Sequence, residues 1–216
     1  MIITRTDGIG LRLQHGDVTI AVNPPSKDSS RFKTSKFGAD IVLVSAGHPD
    51  VNGIESVTFG DKVPFEISGP GEYEYKEIFF RGVGTGSKYD AASLKGSSTG
   101  IRHNTAYTFT VDGINVCVLG LMSDKALPPE AEEGFGDIDI LFITVDTKGE
   151  TLAPLDANAL AVALEPKIII PTALDTKGEE LFLKEAGAKN PEKTEKLTIK
   201  KKDLQDKEGE IILVTI

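Results

Sequence analysis

Two side chains that can ligate a metal, His48 and Asp50, follow closely on the apolar run Ile41–Val44. This run predicts a buried strand, so the two side chains would stand in the loop at its end. Imidazole nitrogen and carboxylate oxygen are both zinc ligands, but a catalytic zinc needs about three protein ligands plus water. A two-metal centre needs more, because two cations about 3.5–4 Å apart must both be held. The loop therefore has the residue types of a metal centre in too small a number.

Other polar residues could complete such a site. Four of them are predicted to face the same mouth of the domain: His103, Asp124, Asp146 and Asp175. His48, His103 and two of these carboxylates could form a rearranged site, and an oxygen-rich version would suit magnesium, manganese or calcium better than zinc. Tyr89 and Asp90, in a nearby loop, could take part. The alternative is structural: Asp50 caps the turn that follows it, and His48 makes a local hydrogen bond.

The elements that must position these residues follow from apolar runs and turn signals. Strands are predicted at 2–5, 11–14, 18–22, 39–44 and 62–67, a strand pair within 72–83, and a hairpin at 105–111 and 114–119. Residues 26–38 and 84–104 are predicted loops, the first lying over the mouth. Later come strands at 138–145, 168–170, 197–199 and 211–216, with helices at 155–164 and 177–186. This order predicts a single α/β domain, residues 1–216, built as a layered sandwich.

Composition restricts the function further. The 216 residues carry a net charge of -9, which gives no electrostatic support for binding nucleic acid or an anionic membrane. No apolar run approaches the ~18 residues of a membrane span, and residues 1–6 do not form a signal peptide. The one cysteine, Cys117, lies in a predicted buried strand, which favours a reducing cytoplasm and an inert thiol.

Several segments, in order along the chain, carry a family resemblance. They are Val42 to Asp50, the stretches 69–74, 104–107 and 116–120, and residues 165–171. With these segments the chain resembles the metal-dependent hydrolases of the metallo-β-lactamase fold, in the branch near the ascorbate-phosphate lactonases. The resemblance implies an αββα sandwich with a two-zinc site at one end. It also implies which positions would hold the zinc ligands.

Most of those positions carry other residues. The family's loop His-x-His-x-Asp-His corresponds here to Ala46, His48, Asp50 and Val51. The remaining ligand positions correspond to Ser87, Leu121 and Ala173. Of these seven positions, His48 and Asp50 alone carry a family ligand. The resemblance therefore implies a dry pocket lined by small or apolar side chains rather than a zinc cage.

These observations lead to two functional expectations. The first is a protein without cofactor and without hydrolase activity, which binds a small molecule or a partner protein on the former active-site face. The second is a hydrolase of phosphoesters or lactones that holds a single divalent metal (zinc, magnesium or manganese) in the rearranged site. A homo-oligomer is left open in both cases.

Overall fold

The protein is a sandwich of two β-sheets with helices on its outside. The structure, a computed structural model, describes residues 1–93 and 100–216, except for the side chains of Glu132 and Glu133. The predicted layered α/β architecture is confirmed. No helix among the described residues is long and apolar enough to cross a membrane.

Six strands form the first sheet, in the order β13-β1-β2-β3-β4-β5. Their bounds are β1 Ile2–Arg5, β2 Leu11–His15, β3 Val18–Val22, β4 Ile41–Val44, β5 Phe65–Ser68 and β13 Leu197–Thr198. The turn between β2 and β3 contains Gly16 at φ +54°, as the hairpin prediction requires. Strands β3, β4 and β5 run parallel. All four residues of β4 are buried, which explains its unbroken apolar sequence.

Eight strands form the second sheet, in the order β12-β14-β11-β10-β9-β8-β7-β6. Their bounds are β6 Gly71–Tyr75, β7 Ile78–Ser87, β8 Arg102–Val111, β9 Ile114–Val118, β10 Ile140–Val145, β11 Ile168–Ala173, β12 Glu192–Thr194 and β14 Glu210–Val214. Strands β9, β10 and β11 run parallel. Cys117 on β9 is fully buried, and burial raises the pKa of its thiol, so the predicted inert cysteine fits its surroundings.

Three helices are present in the described residues: α1 Pro129–Phe135, α2 Pro154–Leu164 and α3 Thr176–Glu185. They contact the eight-stranded sheet, and a second apolar cluster fills the space between. The main core lies between the two sheets. On the outer face of the six-stranded sheet, a small cluster that includes Phe37 and Ile54 packs beneath loop and 3₁₀ segments. The helical layer is therefore concentrated on one side of the sandwich.

The sequence-based prediction of a loop at 84–104 is wrong at both ends. Strand β7 continues to Ser87 and β8 already begins at Arg102, and these two residues are paired. The glycines at 84 and 86 hide the apolar alternation that marks a strand, so the pairing with β8 was not visible in sequence. Residues 94–99 of the predicted loop lie outside the described residues. Helix α1 and strand β12 were also not predicted, because both are short and largely polar.

Both sheets repeat one local plan. A hairpin, β2–β3 or β8–β9, is followed by two strands parallel to its second strand. The carboxyl ends of such parallel strands meet at one edge, where ligand sites of α/β proteins form. The backbone hydrogen bond from Thr105 N to Ser45 O, 2.8 Å long, joins the two sheets at this edge. The loop after β4 is thus held at the mouth of the sandwich.

Candidate functional site

The loop after β4, residues 45–51, is fixed by hydrogen bonds to its neighbours. The Asn23 side chain accepts from Ser45 N at 2.8 Å, and Pro49 O accepts from Ser26 N at 2.8 Å. Across the mouth, Gly120 adopts φ +64°, and a Cβ there would lie 2.4 Å from Ser45 Oγ. Glycine is therefore required at this turn by both conformation and space. These contacts position His48 and Asp50 with little freedom.

Asp50 is buried and is bound by two hydroxyl groups. Its Oδ1 accepts a hydrogen bond from Ser29 Oγ at 2.5 Å, and its Oδ2 accepts from the Tyr89 hydroxyl at 2.6 Å. The side chain is 1% exposed. The expectation that Asp50 caps the following turn is therefore not met, because its carboxylate turns towards the opposite loops. Both oxygens already have short, strong partners.

His48 uses both of its ring nitrogens within the protein. Nδ1 accepts from the backbone N–H of Asp50 at 3.1 Å, and Nε2 lies 3.1 Å from Asp90 Oδ2. The hydrogen-bond network assigns the proton to Nε2, which donates to the Asp90 carboxylate. The predicted local hydrogen bond of His48 is confirmed by its contact with Asp50 N. Its second contact, with Asp90, joins loop 45–51 to the segment that follows β7.

Tyr89 occupies the centre of this arrangement and is fully buried. Its ring meets the His48 ring edge-on, with centroids 5.1 Å apart, and the Arg31 guanidinium lies 4.9 Å from its centroid. Burial raises the pKa of Tyr89, and the hydrogen bond and charge of Asp50 raise it further. The phenol therefore remains a neutral hydrogen-bond donor to the carboxylate.

The positions that the resemblance assigns to missing ligands surround Tyr89. Ala46, Val51 and Leu121 form one buried apolar cluster with the ring of Tyr89. Ser87 is fully buried, and its Oγ accepts a hydrogen bond from Tyr89 N at 3.1 Å. Ala173 ends β11 and is partly buried against the cluster under the helices. Four of the five positions therefore either share an apolar cluster with Tyr89 or bind it by a hydrogen bond.

A segment of the loop at 26–38 lies over the filled site. Ser29 binds Asp50 from this loop, and Arg31 extends across the Tyr89 ring to Glu150, where Nη1 and Oε2 are 3.0 Å apart. The sequence predicted a loop over the mouth, but Ser29 and Arg31 were not recognised as site residues. No sequence signal distinguishes them from the other polar residues of the loop, because their roles depend on contacts more than 20 positions away.

Asp146 and Asp175 stabilise the loops in which they lie by accepting backbone hydrogen bonds. The Asp146 carboxylate accepts four backbone N–H bonds of 2.8–3.0 Å, from residues 148, 149, 150 and 151. Asp175 caps α3 through Gly178 N at 2.7 Å and also accepts from Thr147 N. Burial would raise the pKa of Asp175, but these backbone hydrogen bonds outweigh it and lower the pKa. Neither carboxylate is available to a metal without breaking its loop.

Asp124 and His103 stand apart from His48. Asp124 accepts from Gly86 N at 2.6 Å, and His103 is an exposed residue on β8 that lines a neighbouring pocket. Within residues 1–93 and 100–216, no group of three or more His, Cys, Asp or Glu side chains is arranged to hold a metal ion. The structure therefore does not bring the predicted rearranged site together. Asp124, Asp146 and Asp175 accept backbone hydrogen bonds of their own, and His103 lines a different pocket.

Residues 3–173 match the family model of the β-lactamase superfamily domain, so the chain belongs to that family. A structure from Thermotoga maritima, a candidate zinc-dependent hydrolase of the metallo-β-lactamase superfamily, shares 22% identity at a TM-score of 0.66. It covers 98% of this chain and 97% of its own.

A candidate metal-dependent hydrolase from Parabacteroides distasonis shares 24% identity at a TM-score of 0.62 and covers 86% of this chain and 89% of its own. At these identities the likeness establishes the fold alone. The resemblance seen in sequence is confirmed at this level. The comparison with curated proteins gives no match.

The family implies a metal, and the residues present here do not fit one. A ligand nitrogen or oxygen needs a free lone pair directed at the metal. Both nitrogens of His48 are engaged by protein partners, and each oxygen of Asp50 accepts a hydrogen bond that takes one of its two lone pairs. The volume between them contains the Tyr89 side chain, which is neutral and apolar over its ring.

Proposed function

We propose that this chain is a non-hydrolytic binding protein of the metallo-β-lactamase fold, in which most zinc ligands have been lost. Its ligand or partner would dock on the face around loop 45–51. The observation that carries the proposal is the 2.6 Å hydrogen bond from the buried Tyr89 hydroxyl to Asp50. It brings an aromatic side chain into the space where the family positions its metal ligands.

Charge compensation supports the same proposal. A buried carboxylate needs a cation or several hydrogen-bond donors to remain ionised. Here two hydroxyls bind Asp50 directly, and Arg31, whose guanidinium is always protonated, supplies positive charge from above the Tyr89 ring. The protein itself thus provides what a metal would provide to this carboxylate.

Neither His48 nor Tyr89 is free to act as an acid–base or nucleophilic group. A general base needs a lone pair within hydrogen-bond reach of the substrate, and both nitrogens of His48 are bound by protein groups. Tyr89 is held as a neutral phenol by burial and by Asp50. With water activation by a metal not supported by the donor set, binding is the role that fits these residues best.

We further propose a reducing, cytoplasmic setting, because the single cysteine, Cys117, is buried and free. A small molecule and a partner protein both remain candidates for the occupant of the face. The hydrolase alternative is supported by the names of the similar structures rather than by any contact in this site.

Metal content tests the proposal directly. The purified chain would be treated with a chelator, incubated with zinc, magnesium or manganese, desalted and subjected to elemental analysis. We expect far less than one metal per chain and the same melting temperature before and after chelation. Stoichiometric zinc that disappears in a His48→Ala variant would contradict the proposal. Turnover of phosphoesters or lactones that is lost in the same variant would favour the alternative.

Two variants in which the family's metal ligands are reintroduced test the role of Tyr89. Both carry the family's ligands at five positions: Ala46→His, Val51→His, Ser87→His, Leu121→Asp and Ala173→His. One retains Tyr89 and the other adds Tyr89→Gly. Zinc should bind only to the second, because only there is space made beside Asp50. Equal zinc binding by both folded variants would show that Tyr89 does not close the site.

A further inference from the structure

A second pocket adjoins loop 45–51 and does not include Tyr89. Its volume is about 330 Å³, at the lower end of the roughly 300–1,000 Å³ of small-molecule sites. Its walls come from the loop after β4, the end of β5 and the paired strands β7 and β8. It therefore opens beside the mouth at which the carboxyl ends of the parallel strands meet.

Five polar side chains that line this pocket make no hydrogen bond or ion pair in the part of the chain that the structure describes: Ser45, Asn52, Glu66, Ser68 and His103. Ser45 is buried, whereas Glu66, Ser68 and His103 are exposed at the pocket mouth. The contrast with the Tyr89 site is direct, since every polar atom of His48 and Asp50 is bound there. A concave site lined by several polar groups without protein partners has features of a ligand site.

The charge of the pocket is negative. Glu66 is the only acid and His103 the only titratable base among the described lining residues, and neither lysine nor arginine is present. Burial raises the pKa of the neighbouring Tyr107 to about 12, and the charge of Glu66 contributes to that shift. Tyr107 donates from its hydroxyl to Val44 O at 2.8 Å, within the pocket wall. As the one acidic side chain among the described lining residues, Glu66 would repel an anion and attract a cation.

We infer that this pocket binds a small organic cation, a primary ammonium compound that also carries hydroxyl groups. Glu66 is its counter-ion, and the side chains of His103, Ser68 and Asn52 bind the hydroxyls. The apolar surfaces of Ile54 and Pro70 contact its carbon skeleton. This inference rests on the proposed function and gives the binding role a chemical class of ligand.

Three sugars that differ mainly in charge provide the test: glucosamine, glucose and glucuronate. Titration calorimetry on the full chain at low ionic strength should detect glucosamine binding, with glucose at least about tenfold weaker and glucuronate not bound. Glu66→Gln should reduce the glucosamine affinity to that of glucose. His103→Ala should weaken both sugars. Glu74→Gln on the adjacent strand β6, outside this pocket, is the matched control and should change nothing.

Three results would overturn the inference. They are glucuronate binding as tightly as glucosamine, an unchanged glucosamine affinity in a folded Glu66→Gln variant, and the absence of binding by all three sugars. Circular dichroism of each variant establishes that it is folded. Metal content is measured on the same preparations, so a failure here leaves the metal result standing. Stoichiometric zinc would in turn contradict the proposed function whatever the sugars do.

Discussion

Buried carboxylates lie at both ends of the central strands β4 and β10, and the protein satisfies them in different ways. Where the strands begin, Asp40 and Asp139 each bind two lysines and one backbone N–H. The contacts are Asp40 with Lys62, Lys76 and Thr19 N, and Asp139 with Lys167, Lys201 and Asn115 N, all at 2.6–2.9 Å. Where the strands finish, Asp50 binds two hydroxyls and no cation directly.

This difference supports our proposal that one end is structural and the other is the binding end. Lysines that reach a buried carboxylate from solvent neutralise it permanently and leave no room for a ligand. At Asp40, burial would raise the pKa, but hydrogen bonds from Lys76, Thr19 N and Lys62 outweigh it and lower the pKa to about 2. At Asp50, the direct donors are the neutral hydroxyls of Ser29 and Tyr89, and the positive charge of Arg31 lies over the Tyr89 ring. The pocket with unpartnered polar side chains adjoins this second end.

The largest effect should come from removing the Tyr89 ring. Tyr89→Ala deletes a fully buried aromatic side chain, and we expect a loss of about 3–5 kcal/mol in the free energy of unfolding. Tyr89→Phe removes only the donor to Asp50 and should cost about 1–2 kcal/mol. Urea denaturation of the two variants measures both terms. If Tyr89→Ala were nearly neutral, Tyr89 would be a surface residue and the closed site would be wrong.

At the opposite end, Asp139→Ala should cost about 2–3 kcal/mol, because the Asn115 N–H is left without a partner while the two lysines can turn to solvent. Lys201→Met is the matched control, and it should cost under about 1 kcal/mol, since its side chain is 50% exposed and Lys167 remains. Equal losses in both variants would show that the lysines, rather than the carboxylate, hold this end.

Acid should weaken the lysine-bound end. The folded pKa of Asp40 is lowered from 3.8 to about 2, so its stabilisation is fully present above the unfolded value and is lost as the pH falls through the folded one. Between about pH 5 and pH 2 we expect roughly 1–2 kcal/mol to be lost through this group, reduced by solvent screening of the two lysines. Urea denaturation of Asp40→Asn across this range should show a correspondingly shallower decline.

The fold was largely predictable from sequence, and the site only in part. Apolar runs such as Ile41–Val44 and Ile140–Val145 identify buried strands because both faces of each must be covered. The apolar residues Ala46, Val51 and Leu121 led us to expect a dry pocket, and the structure has instead a packed apolar cluster of these residues with Tyr89. What fills it could not be predicted, because Tyr89 lies in a glycine-rich stretch without periodicity and Arg31 in a polar loop. Their partners are fixed by tertiary packing.

The smallest effect, and the finest test of the comparison, concerns Arg31 and Glu150. This ion pair crosses the Tyr89 ring and is about one-third exposed, so a double-mutant cycle of Arg31→Met and Glu150→Gln should give a coupling of about 0.5–1 kcal/mol that decreases with salt. The pair Lys125 and Asp156, whose lysine is 75% exposed, is the control and should couple by about 0–0.3 kcal/mol.

If Arg31 compensates the charge of Asp50 as well as that of Glu150, Arg31→Met should destabilise the protein more than Glu150→Gln does. If the two single variants lose the same free energy of unfolding, Arg31 acts only through Glu150. Asp50 would then be stabilised by Ser29 and Tyr89 alone.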